Sequence, residues 1–252
     1  MPVLRHIAAV LALPVVLPAL AIAQPLGTNL VINGDAEAGD ASGWIDDGVQ
    51  VVETSVPGIR GLPAGTDIGD FSFTGGTGDP VETLTQEIDV SARSAAIDGG
   101  SVTSTFSVLT QSRRIVGAHD RGIVRLQYRT ADGMILASEE FEDEAIIGVP
   151  SDWTFFEDVR VLPAGTRVVW IQLVAARDTG LSTDAYFDNV SVVLAAACRA
   201  DLDGDGALTI FDFLAFQNLF DAGDPAADFD GDGSLTIFDF LAFQNAFDAG
   251  CP

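Results

Sequence analysis

Along residues 85–193 the chain alternates short apolar runs with turn residues. Runs at 85–90, 102–108, 123–128, 134–137, 159–161, 168–174 and 186–193 are rich in Val, Thr, Ile and Phe and change character from one residue to the next. A period of two puts successive side chains on opposite faces, so each run predicts a half-buried β-strand. Ala131-Asp132-Gly133 and Pro163-Ala164-Gly165 are expected to close hairpins between neighbouring runs. No long stretch of helical periodicity interrupts residues 25–195, so the expected fold class is mainly β, an antiparallel β-sandwich or jelly roll.

The pattern changes near residue 198. Phe213, Phe216 and Phe220 recur at helical spacing, with Ile210 and Leu214 on the shoulder of the same face. That face is expected to form a small core between two helices. Phe211, Ala215, Asn218 and Leu219 fall on another side. A Phe repeated there suggests a stripe that meets a partner, with packing inside the protein as the alternative.

The helix occurs twice because the segment is duplicated. Residues 201–225 and 228–252 align with an offset of 27, and only four of 25 positions differ. Each copy opens with an acidic loop. Asp201, Asp203 and Asp205 stand at loop positions 1, 3 and 5, Gly206 at 6, and Asp212 at 12; the second copy has Asp228, Asp230, Asp232, Gly233 and Asp239. Calcium takes six to eight hard oxygen ligands, and alternate residues of a tight loop aim carboxylates at one centre, with the carbonyls of Ala207 and Ser234 at position 7. Without a cation the carboxylates would repel one another, so folding of this region is expected to depend on metal.

The first 23 residues stand apart. Arg5 and His6 precede an apolar run over 7–23 that contains Pro14 and Pro18 and ends in Ala21-Ile22-Ala23. A basic start, an apolar middle and small residues at the end predict a secretory signal cleaved after Ala23, and no other stretch is long enough to span a membrane. The two cysteines, Cys198 and Cys251, bracket the repeat pair. Export to an oxidising compartment permits a bridge between them, with two free thiols as the alternative. The loop closed would be 53 residues long, for which chain entropy gives about 4 kcal/mol.

Charge narrows the partners. The 252 residues hold 37 acidic and 12 basic residues, all of the latter Arg, for a net charge of -25. Such a balance argues against nucleic acid or an anionic membrane as partner, because both need clustered positive charge. With 48% hydrophobic residues the chain still has the means to bury a core.

With Asp in place of Glu at position 12 and no helix ahead of either loop, residues 198–252 resemble a dockerin domain, and Gly250-Cys251 resembles the GC-type dockerins at the ends of exported bacterial proteins. The resemblance implies a small all-α domain binding two calcium ions through Asp201, Asp203, Asp205, Ala207 and Asp212, and through Asp228, Asp230, Asp232, Ser234 and Asp239. It also implies docking on a cohesin-like or other surface scaffold protein, with Ile210, Phe211 and Asn218, and Ile237, Phe238 and Asn245, as the partner-facing residues. Many cellulosomal dockerins carry small hydroxyl residues at loop positions 10 and 11. This sequence has Ile210-Phe211 and Ile237-Phe238, which weighs against a cohesin of that kind.

A second resemblance lies at the ends of residues 25–195. Asn29-Leu30-Val31-Ile32-Asn33-Gly34-Asp35-Ala36-Glu37-Ala38-Gly39, followed by Gly43-Trp44, is similar to the opening strand of galactose-binding-like jelly rolls, which include many carbohydrate-binding modules. Tyr186-Phe187-Asp188-Asn189-Val190-Ser191-Val192 is similar to their closing strand. The resemblance implies a structural calcium between these strands, held by Glu37 and Asp188; the alternative is that both cap turns. A sugar site needs an aromatic platform. Trp44, Trp153, Trp170 and Tyr128 are the candidates, with Trp170 and Tyr128 expected in the core and Trp44 expected to pack inside.

Catalysis has little to stand on. His119 is the only histidine beyond the signal segment, and the acidic run Glu139, Glu140, Glu142, Asp143 and Glu144 reads as a solvated face. The expectation is an exported, secreted or cell-surface binding protein whose jelly roll recognises glycan or another surface ligand and whose calcium-dependent tail anchors it. The alternatives are a polysaccharide-degrading enzyme on the same tail, with a glycosidase carboxylate pair hidden in the acidic run, and a structural cell-surface protein.

Overall fold

A computed structural model describes residues 26–54, 67–112, 114–115, 118–143, 152–203 and 207–250. The expected leader over 1–23, Asp205, Gly206, Glu144 and Cys251 lie outside the described residues, and at His119 only the backbone is described. In chain order the elements are β1 (Ile45–Asp47), β2 (Gln50–Glu53), β3 (Phe71–Gly76), β4 (Val81–Asp89), the short helix α1 (Ser94–Asp98), β5 (Val102–Ser112), β6 (Arg114–Ile115), β7 (Ala118–His119), β8 (Arg121–Arg129), β9 (Ile135–Glu142), β10 (Thr154–Val161), β11 (Val168–Ala176), β12 (Thr183–Ala196), α2 (Ile210–Ala222) and α3 (Ile237–Ala249).

Two five-stranded antiparallel sheets face each other, with strand orders β1-β4-β11-β8-β9 and β10-β5-β12-β3-β2. The fold is the expected mainly-β sandwich of jelly-roll type. The register explains its core. Leu84, Leu173 and Val124 form one row across three strands of the first sheet, and Ile88, Val169 and Tyr128 form another. All face Phe73, Phe106, Val108, Phe187 and Val192 of the second sheet, and nearly all are fully buried. Each such side chain contributes about 1.5–3 kcal/mol when removed from water.

Three expectations need correction. The turn at 131–133 does join β8 to β9, with Gly133 at φ 87°, but Pro163-Ala164-Gly165 closes no hairpin. It follows β10 at the edge of one sheet and leads to β11 in the middle of the other, so it carries the chain across the sandwich. The opening segment at 29–33 is not a full strand. It makes a single bridge from Asn29 to Val193 and is otherwise held by side chains. Asn29 Oδ1 accepts from the Val31 and Val192 N–H groups, each at 3.0 Å, and the Gln86 amide clasps Ile32, accepting from its N–H at 2.8 Å and donating to its carbonyl at 3.0 Å.

In the tail, Thr209 and Thr236 cap α2 and α3, each in a reciprocal capping box with Asp212 or Asp239. Phe216 and Phe243 stack with centroids 4.5 Å apart, and Phe229 meets Phe243 edge-on at 5.3 Å. The third correction concerns the helix face. Ile210 and Leu214 stay 63% and 46% exposed, whereas Leu219 packs against the core. The helix is apolar nearly all round, so ring packing against Phe229 and Phe243, and not periodicity, selects the buried side. Among the described residues no helix is long and apolar enough to cross a membrane.

Candidate functional site

The outer face of the first sheet carries the side chains with binding chemistry. Along β11, Val169, Ile171 and Leu173 point into the core, which leaves Trp170 and Gln172 on the opposite face. β8 alternates in the same way, with Val124, Leu126 and Tyr128 inward and Arg125, Gln127 and Arg129 outward. The register sets Trp170 beside Gln127 on one side and Glu87 on the other, and Gln172 beside Arg125 and Thr85. Trp170, expected in the core, is therefore a surface residue.

Hydrogen bonds hold these groups in place. The Arg129 guanidinium lies over the indole of Trp170, 4.1 Å from the ring centroid, and its Nε donates to Gln127 Oε1 at 2.8 Å. Arg125 Nε donates to Glu140 Oε2 at 2.7 Å and its Nη1 to Gln172 Oε1 at 3.1 Å. The result is one aromatic surface ringed by amides, guanidinium groups and carboxylates on neighbouring strands. Such a set suits a ring with a C–H face and several hydroxyls: indole takes the apolar face, and Gln, Arg and Glu exchange hydrogen bonds with the hydroxyls.

The other expected platforms are buried. Trp44 packs edge-on against Phe73 at 5.8 Å and donates from Nε1 to the Asn33 carbonyl at 3.2 Å. Trp153 belongs to a small cluster with Ile68, Leu109 and Tyr186. Tyr128 is fully buried, its hydroxyl donating to Asp158 at 3.0 Å, and burial pushes the phenol above its usual range. The parity of Trp170 with Gln172, and of Arg125, Gln127 and Arg129 with one another, was the available signal for the face. The acidic run of β9 splits across the strand: Glu140 pairs with Arg125, Glu139 pairs with Arg160 at 2.5 Å, and Asp143 is buried against Ser112 and Thr154.

Two acidic clusters stand in the tail. Asp201, Asp203 and Asp212 bring ligand-capable oxygens within 4.8 Å of one another, as do Asp228, Asp230 and Asp232. In the second loop the Asp228 carboxylate accepts from the N–H groups of Gly231 and Gly233 at 2.8 and 2.9 Å, and both glycines adopt positive φ. At Asp230 the Asp232 N–H lowers the acid pKa, yet burial and the charges of Asp232, Asp239 and Asp228 together leave it raised. Crowded acids of this kind fit a hard, oxygen-seeking cation. Asp212 and Asp239 are fully buried; burial opposes ionisation at Asp212, but N–H donors from Thr209, Asp203 and Leu202 outweigh it and lower its pKa. Ala207 and Ser234 are exposed at the turn, as are Ile210, Phe211 and Asn218 and their repeats Ile237, Phe238 and Asn245 on the helices. Cys198 is half-buried.

A third acidic group joins the ends of the sandwich. Asp188 is fully buried and accepts from Ser72 Oγ and the Asn189 N–H, each at 2.7 Å. Burial pushes its pKa up to about 7, against the hydrogen bonds from Ser72 and Asn189, and nearby Glu37 and Asp35 push the same way as burial. Glu37 is exposed and its Oε1 accepts from the N–H groups of Asp70 and Phe71 at 2.8 and 2.9 Å. Asn33, Ala36 and Asn189, the three non-glycine residues of positive φ among those described, lie on the two segments joined by the Val190 N–H to Gly34 carbonyl bond of 2.8 Å. Backbone strain thus gathers at this junction.

No family model matches the chain, and no curated protein matches it. Among solved structures it is similar to the enzymatically active domain of tailspike protein 4 from bacteriophage CBA120, at 13% identity and a TM-score of 0.43 over 67% of this chain and 21% of that one. The chain thus spans about a fifth of the tailspike. It is also similar to TmCBM61 in complex with β-1,4-galactotriose, at 15% identity and a TM-score of 0.39, covering 68% of this chain and 100% of that one. A structure titled for CBM4 structure and function has 16% identity and a TM-score of 0.36, covering 66% and 99%.

Proposed function

We propose that this is an exported, non-catalytic glycan-binding protein whose jelly roll takes a neutral polysaccharide on the outer face of the β1-β4-β11-β8-β9 sheet. The observation that carries this is the alignment of Trp170 with Arg125, Gln127, Arg129 and Gln172 on adjacent strands. Neutrality follows from charge: Arg125 is already paired with Glu140 and Arg129 stands near Glu87, on a chain of net charge -25 that repels polyanions.

The tail is read as a dockerin-type unit that anchors the jelly roll to a scaffold or cell surface. Its two calcium ions are assigned to Asp201, Asp203, Asp205, Ala207 and Asp212, and to Asp228, Asp230, Asp232, Ser234 and Asp239. A third is assigned to Glu37 and Asp188. A Cys198–Cys251 bridge would close the unit, and a leader over 1–23 would direct export. The exposed apolar pairs Ile210-Phe211 and Ile237-Phe238 suit a docking face that is repeated twice. Affinity electrophoresis of the mature chain through gels containing neutral and uronate polysaccharides tests the reading. Retardation by a neutral polysaccharide, lost in Trp170→Ala, supports it; no retardation in any gel sinks it.

A further inference from the structure

The structure assigns a further role to Arg199: it is a positioning residue that latches the start of the second acidic loop to the turn opening the first. It is the only basic residue over 198–252. It stands in a turn closed by the Asp201 N–H donating to the Cys198 carbonyl at 3.1 Å, so it sits two residues ahead of the first loop's leading carboxylate. From there its side chain reaches the second loop. One Nη donates to the Phe229 carbonyl at 2.7 Å and the other to the Asp228 carbonyl at 2.6 Å, while the guanidinium carbon lies 4.5 Å from the centroid of the Phe229 ring.

This contact fixes backbone where position matters. Asp228 leads the second loop, and its carboxylate already orders Gly231 and Gly233. Phe229, next to it, is buried in the tail core against Phe216 and Phe243. Arg199 therefore holds two consecutive carbonyls of the loop with a planar fork, while the aromatic ring beneath keeps that fork flat. The side chain thus braces the second loop from the turn that opens the first, and all its contacts fall on the second loop. A plain charge effect would act oppositely, since a guanidinium repels an incoming calcium ion. The second repeat has no counterpart of Arg199, since the residue two places ahead of Asp228 is Ala226.

The inference rests on the calcium reading of the tail, and calorimetric calcium titration of the full mature chain separates the two. Asp203→Ala isolates the second loop and Asp230→Ala isolates the first. In the Asp203→Ala background, Arg199→Ala and Arg199→Lys should each weaken calcium binding by about tenfold or more, as loss of an outer-shell partner does. In the Asp230→Ala background both should leave it unchanged. Tighter binding in Arg199→Ala with no change in Arg199→Lys would mean charge alone and overturn the latch. Equal weakening of both loops, or no change in either, overturns it too. If the unmutated chain takes up no calcium, the calcium reading falls and the latch with it; Arg199→Lys keeps the test open if Arg199→Ala fails to fold.

Discussion

Arg129 lies over the indole of Trp170 at 4.1 Å while its Nε is held by Gln127, two residues back on the same strand and opposite Trp170. The guanidinium thus shields the one tryptophan that is not buried. Stacking a sugar on this ring requires Arg129 to swing aside or to share the ring. Arg129→Ala should therefore expose the indole, red-shifting Trp fluorescence and raising its quenching by acrylamide. It should cost less than about 1 kcal/mol of stability, since an exposed cation–π contact contributes about 0.5–1 kcal/mol. Unchanged quenching would show that Arg129 does not cover the ring.

Glu82 points inward at the end of the first sheet and is only 2% exposed, with Oε2 lacking a hydrogen-bond partner. A Cβ on Gly78 would stand 1.9 Å from its Oε1. Burial raises its pKa above 4.5, against the Asp79 N–H. The sign follows from proton counting. The folded state holds the Glu82 proton more tightly than the unfolded chain, so stability falls as pH rises from about 4.5 through the folded pKa. Glu82→Gln should thus gain most over the parent near neutral pH and gain nothing from ionisation below pH 4 or so. Denaturant melts at pH 7 and pH 4 check this, and an equal difference at both would contradict it. Gly78→Ala should destabilise at either pH.

Buried and exposed phenylalanines of the same helix should behave differently. Phe243 is 1% exposed and stacks on Phe216, whereas Phe238 is 63% exposed. Phe243→Ala should destabilise the tail by about 3–5 kcal/mol. Phe211→Ala and Phe238→Ala should stay within about 0.5 kcal/mol, as surface changes do. Chemical denaturation followed by far-UV circular dichroism separates the outcomes. Loss of stability in Phe238→Ala would place that ring in the core.

Calcium removal should act mainly on the tail. Its core is small, and three carboxylates in each loop stand within 4.8 Å of one another. Chelation should lower the helical signal and the tail's melting temperature while the β-sheet signal persists. A spectrum and melting curve unaffected by chelator would rule calcium out as a folding partner.

The sandwich was legible because most of its strands alternate. β4, β5, β8, β11 and β12 each carry the period that a half-buried strand requires. β1 and β2 are three and four residues long and have no buried position, so no period exists to read. β3 ends in Gly75-Gly76, which is silent for another reason: a Cβ on Gly75 would meet Ala175 at 2.7 Å. The two acidic clusters were legible from spacing alone, since carboxylates at alternate positions of a tight loop lie near one another. Trp170 was misplaced because a large apolar residue in an apolar run looks like core, and only its parity with Gln172 shows otherwise. Arg199 left no signal at all, because its partners are backbone carbonyls about thirty residues away whose position only the fold sets.

The central claim is that the outer face of the first sheet binds neutral glycan through Trp170. Isothermal titration of the mature chain with soluble neutral oligosaccharides, alongside Trp170→Ala and Gln172→Ala, tests it most directly. The account predicts measurable binding by the parent chain, abolished in Trp170→Ala and weakened by about 1–3 kcal/mol in Gln172→Ala through the lost hydrogen bond, with melting temperatures unchanged. Binding that survives Trp170→Ala at full strength would contradict it.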